Sequence, residues 1–224
     1  MQRLETDVAS SSLIYKSACL VSNLFHPMLA SFVAFLLLII VSQDTVLQKS
    51  IQAVTSILFS SILPVAFIYT QRHWLNTDER TERFLPLFVG IVSYGTGFLA
   101  LRLMDASVVI QALMFCYATN TLLVLGITQL WKVSVHSTAI SGPLVALSYR
   151  FGIVVAPFYL LILLVGISRV VLRKHTIAQV IVGILIGIIG TGTQMYYIFS
   201  YHSRSNANLF HLSKIDEENS FYST

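Results

Sequence analysis

Residues 153–199 read IVVAPFYLLILLVGI (153–167), SRVVLRKH (168–175) and TIAQVIVGILIGIIGTGTQMYYIF (176–199). Two apolar runs flank a basic octet, and that arrangement decides the fold. A helix of about twenty apolar residues is what crosses a hydrocarbon core about 30 Å thick. The octet sets Arg169, Arg173, Lys174 and His175 at the edge of such runs. Charge so close to a bilayer is costly to place, which points to a substrate or a partner. In the second run, Gly183 and Gly187 stand at the spacing that lets helix backbones approach closely.

The pattern extends through the chain. Of its 224 residues, 55% are hydrophobic and 11% charged, whereas a soluble domain carries roughly a quarter charged residues. Residues 28–41, 51–70, 84–101 and 107–130 are further apolar runs, and 137–149 is short and rich in small residues. Pro27 suits the first turn of a helix, and Pro64 is expected to kink the crossing that contains it. The expected fold class is all-α, a polytopic membrane helical bundle of six or seven transmembrane helices, placed in the cell (plasma) membrane. Residues 1–26 form a polar N-terminus and an interfacial amphipathic segment, in which Lys16, Ser22 and Asn23 break the apolar character. Residues 27–200 form the transmembrane domain, and the polar stretch 201–224 reads as a disordered tail.

Other features narrow the function. Residues 1–12 are polar and mixed in charge, without the pattern of a cleavable signal, so insertion is expected through the transmembrane helices themselves. Cys19 and Cys116 are far apart in apolar surroundings and read as small buried residues. The net charge of +4 suits anionic lipid headgroups. No basic tract interleaved with aromatics suggests nucleic acid, and no metal-ligand spacing appears, so neither a metal nor another cofactor is expected.

Three loops carry the chemistry: 71–83, 131–136 and 168–175. Two crossings separate the first from the second, and two more separate the second from the third, so all three lie on one membrane face. Read as one pocket, they bring together Arg80, Arg83, Lys132, His136, Arg169 and His175. Arginine's planar fork matches phosphate oxygens in a bidentate way, and lysine adds a point charge. Two histidines beside a phosphate permit covalent catalysis, one attacking phosphorus and the other protonating the leaving oxygen. The cations would hold the charge that spreads over the equatorial oxygens.

The third loop resembles the third signature, S-R-x5-H-x3-D, of the type 2 phosphatidic acid phosphatase and vanadium haloperoxidase superfamily. Here it reads Ser168-Arg169-x5-His175-x3-Gln179. The second signature, P-S-G-H, has a weaker counterpart in Val133-Ser134-Val135-His136. For the first, K-x6-R-P, Arg83-Phe84-Leu85-Pro86 supplies an arginine near a proline, with Asn76 at the lysine position; another register pairs His73 with Arg80. The resemblance spans about His73 to Val182 and points to the integral-membrane lipid phosphatase branch, as a divergent member.

That resemblance implies roles. His175 would be the nucleophile and His136 the acid for the leaving group; Arg169 and Arg83 would grip phosphate, and Ser134 would donate a hydrogen bond. Ser168, Lys132 and Arg80 join them as phosphate-binding candidates, although Lys132 has no aligned family counterpart. Gln179 stands where the family has aspartate, one turn past the histidine. Its carbonyl can orient the ring but lacks the charge that stabilises an imidazolium. Asp78, Glu79 and Glu82 are candidate substitute acids through their place in the first loop.

The function so implied is hydrolysis of a lipid phosphomonoester or diphosphate: phosphatidate, phosphatidylglycerol phosphate or an isoprenyl diphosphate. Its partners are that substrate and membrane lipids, with no nucleic acid. Two other readings stand beside it. One is a catalytically weak relative that binds phosphorylated lipids. The other is a transporter, for which the chain offers no inverted repeat and no midplane acid.

Overall fold

A proline and a histidine set the first bend. Pro27 occupies the first turn of α2 (Pro27–Ile40), where its missing N–H costs nothing, and it holds His26 in an extended conformation. The preceding helix α1 (Leu13–Leu24) therefore meets α2 at 46°. The computed structural model describes residues 13–71, 81–202 and 204. Calls on 1–12 and on most of 201–224 lie outside them, but helix continues through His202.

Helix α3 (Val46–Gln71) starts at a full capping box between Thr45 and Gln48, which satisfies the first backbone donors. Pro64 then shapes its middle. The turn Leu58–Ile62 widens to π geometry, with Leu63 N–H donating to the Leu58 carbonyl. In that register the Phe59 carbonyl would look to residue 64, which has no N–H to give. The Ser93 hydroxyl supplies the donor instead, at 2.6 Å. The expected kink is thus a wide turn whose freed carbonyl is satisfied by the next helix.

That neighbour is α4 (Phe84–Leu103), which follows the 3-10 turn Thr81–Arg83 and packs along α5 (Val108–Thr128). Gly97 permits the contact of α4 with α3, since a Cβ there would lie 2.6 Å from the Phe59 Cβ. Helix α6 (Val135–Phe151) sits deepest, with Ser137, Ser141, Gly142, Ala146 and Leu147 all buried. Gly183 and Gly187 of α8 (Ile177–His202) press on it: a Cβ on either would collide with Ser134 or with Ser141 and Gly142. The small-residue spacing is a helix contact, as its periodicity implies.

Between them lie the 3-10 turns Gly152–Tyr159 and α7 (Leu160–Val171). Residues Val135–Val171 form 37 consecutive helical residues, which laid straight would span about 55 Å. Yet His136 near one end and Arg169 near the other line the same cavity. The chain therefore folds back, and it does so at Gly152, whose φ of 63° and ψ of −140° suit only glycine.

Phe35, Leu38, Ile110, Leu113, Met114 and Met195 form the fully buried centre. Around it, large apolar side chains such as Leu163, Leu164, Ile167 and Ile189 are about half exposed. Among the described residues five helices are long and apolar enough to cross a membrane, or six if α1 and α2 count as one bent span. An all-helical bundle with this apolar exterior suits a membrane-embedded protein.

Candidate functional site

Helix ends build the site. At the end of α7 the chain turns through Arg173, which takes the left-handed conformation with φ 53°. Leu172 N–H returns to Ser168 O at 3.0 Å, and the N–H groups of Lys174 and His175 both reach Arg169 O, at 3.1 and 3.3 Å. This turn satisfies the last carbonyls of the helix and folds His175 back over Arg169. Thr176 then caps α8, its hydroxyl accepting from Gln179 N–H at 3.3 Å while Gln179 Oε1 accepts from Thr176 N–H at 3.2 Å.

The capping box fixes the chemistry of His175. Because Gln179 Oε1 accepts from a backbone N–H, the carbonyl end of that amide faces the helix start. The same oxygen lies 3.2 Å from His175 Nδ1. Nδ1 must therefore carry the proton, which leaves the lone pair on Nε2. His175 is buried, 6% exposed. Burial, then the charges of Arg83, Lys132 and Arg169, push its pKa down to about 3, with the Gln179 carbonyl pulling weakly the other way. The ring is neutral at ordinary pH.

The second loop is stapled to the third. Ser134 N–H donates to Gln179 O at 3.2 Å, and the Ser134 hydroxyl caps α6, accepting from Ser137 N–H and Ser137 Oγ–H. His136 follows in the first turn. Arg83, at the start of α4, donates from Nη1 to Val133 O at 3.1 Å and so ties the first loop to the second. Arg169 is buried and donates from Nη1 to the Ser22 hydroxyl of α1 at 2.8 Å.

Four of these side chains line one cavity of about 280 Å³. Arg83, His136, Arg169 and His175 line its polar end, with Pro86 beside them. Tyr94, Tyr117, Asn120 and apolar residues such as Leu87 and Val124 complete its lining. Two guanidinium groups and neutral imidazole around one partly open cavity favour an anion.

The remaining candidates are placed differently. Lys132 does not line the cavity, but its charge reaches His175. Ser134 is engaged in capping, and Ser168 donates back to Val165 O at 2.7 Å. Gln179 stands behind His175 as its hydrogen-bond partner. Glu82 does not line the cavity. Arg80, His73, Asn76, Asp78 and Glu79 lie outside the described residues. Sequence reasoning passed over His26 and Ser22. His26 lines the cavity, and its ring meets that of His136 edge to face, with centroids 5.4 Å apart. The one signal for it was His26-Pro27 at a helix start facing the same end of the bundle.

Among the described residues no three His, Cys, Asp or Glu side chains converge as metal ligands. No protein-family model matches this chain, and neither a curated protein nor a solved structure matches it significantly.

Proposed function

We propose that the protein is a membrane-embedded phosphatase of the type 2 phosphatidic acid phosphatase kind, acting on a lipid phosphomonoester or diphosphate through a phosphohistidine at His175. One observation carries the reading: Arg83, His136, Arg169 and His175, from three distant segments, line one cavity. The lone pair of His175 Nε2 attacks phosphorus, and the bond from phosphorus to the lipid oxygen breaks. His136, protonated with the dianionic phosphate beside it, gives its proton to that oxygen. Water then attacks phosphorus, returns a proton to His136 and releases phosphate as the N–P bond breaks. Arg83 and Arg169 hold the equatorial oxygens through both steps. Six or seven crossings would set this cavity at headgroup depth, where the hydrocarbon chain of phosphatidate, phosphatidylglycerol phosphate or an isoprenyl diphosphate stays in the bilayer.

Gln179 favours a second reading, a relative that binds phosphorylated lipids with little turnover. Its carbonyl orients His175 but brings no charge to an imidazolium. Purified protein and His175→Ala are to be assayed for phosphate release from the three lipid classes. Turnover that disappears in the variant supports the enzyme. Folded protein that binds orthovanadate yet releases nothing supports the binder, and folded protein that does neither overturns both.

A further inference from the structure

Four helix starts have side-chain caps among the described residues. Thr45 and Thr176 form capping boxes, and Ser134 accepts from Ser137 N–H at 3.4 Å. These are residue types that helix starts prefer. The fourth, α2, is capped by His26, whose Nδ1 accepts from Met28 N–H at a long 3.4 Å. Histidine is a poor choice for capping alone. What it adds is a ring that lines the cavity and touches His136 edge to face. Because Nδ1 accepts from the backbone, the neutral ring carries its proton on Nε2, the atom farther from the helix. Arg169, tied to Ser22 four residues earlier, stands close by.

We propose that His26 is a third imidazole of the anion site, donating through Nε2–H to an oxyanion held by Arg169 and steadying the His136 ring against which it packs. The inference rests on the phosphate reading of the cavity. It makes the site one of three histidines and two arginines, with the first helix pair as an obligatory wall. It also assigns this role to a residue outside all three signature-like motifs.

Two substitutions separate the binding role from the capping role. In His26→Asn the side-chain oxygen falls near the position of Nδ1 and keeps a favoured cap, but nothing replaces the Nε2 donor. In His26→Gln the amide nitrogen reaches the position of Nε2, while the cap weakens. Orthovanadate is the probe, titrated into detergent-solubilised full-length protein, with thermal unfolding as the check on folding. The expected result is a Kd about tenfold weaker for His26→Asn, the loss of one charge-assisted hydrogen bond. His26→Gln should stay within about threefold of wild type even if its melting temperature falls. The opposite order, or equal binding by all three proteins, overturns the role of His26 alone. Wild-type protein that binds no orthovanadate overturns the phosphate reading and this inference with it.

Discussion

The fold holds the His175 ring in its neutral state. Its pKa of about 3 lies well below the ordinary 6.5, because burial and three cations oppose a charged ring. Below pH 6.5 the unfolded chain takes up a proton at this position that the folded chain refuses until about pH 3, so stability falls as the pH drops through that window. Melting temperatures in detergent should decline between about pH 7 and about pH 4 more steeply for wild type than for His175→Asn. Equal slopes would show that His175 does not carry the effect. Gln179→Glu asks the complementary question. Glutamate keeps the capping box with Thr176 and adds a charge at the Nδ1 side of the ring. The histidine's proton resonance should titrate at higher pH than in wild type, and phosphate release should rise about tenfold or more. An unmoved titration would mean that the new carboxylate does not reach the ring. The contrast between His175 and His26 shows why one was legible and the other was not. The S-R-x5-H spacing lies within one helix end, where sequence distance fixes spatial distance. His26 comes to the site through packing of α1 and α2 across the bundle, and no spacing in one chain encodes that.

Helix contacts are the scale at which small residues decide. Gly187 leaves room for Ser141 and Gly142 of α6, whereas Gly95 on α4 has nothing within 4 Å of its would-be Cβ. Gly187→Ala should therefore destabilise by about 1–3 kcal/mol through overpacking. Gly95→Ala should be neutral or slightly stabilising, by up to about 1 kcal/mol. Paired thermal melts check this, and equal effects would mean that α6 and α8 have slack the close contact conceals. The glycine spacing was readable because helical periodicity puts Gly183 and Gly187 on one face. Helix starts were less so. Residues 46–50 are polar enough to resemble a loop, yet the capping box of Thr45 and Gln48 draws them into α3. The wide turn before Pro64 was foreseeable as a disturbance but not as a π turn. Its form depends on Ser93, 34 residues away, donating to the Phe59 carbonyl.

Across the whole molecule, the location of the site depends on one reversal. The helical residues Val135–Val171 satisfy the length and composition of a single crossing. A straight helix would then carry residues 129–134 and 172–176 to opposite faces, about 55 Å apart. The shared cavity of His136, Arg169 and His175 demands instead that both loops meet, and the turn at Gly152 provides for it. The far end of the bundle agrees. There Arg150, just before the turn, donates from Nη2 to Val41 O at the end of α2, while His26 at the start of α2 lies with His136. Helices α2 and α6 thus run side by side in the same direction, each starting at the site. Single cysteines at Leu130, Thr176 and Leu103, all exposed, put this to the test in a background lacking Cys19 and Cys116. With an impermeant thiol reagent applied to sealed vesicles of one orientation, Leu130→Cys and Thr176→Cys should label together, and Leu103→Cys only after permeabilisation or the reverse. Labelling of Leu130→Cys and Thr176→Cys from opposite faces would make Val135–Val171 one crossing and would separate His136 from His175 by the full membrane. No phosphate could then bridge them, so this labelling pattern bears on the chemistry as directly as any assay of turnover.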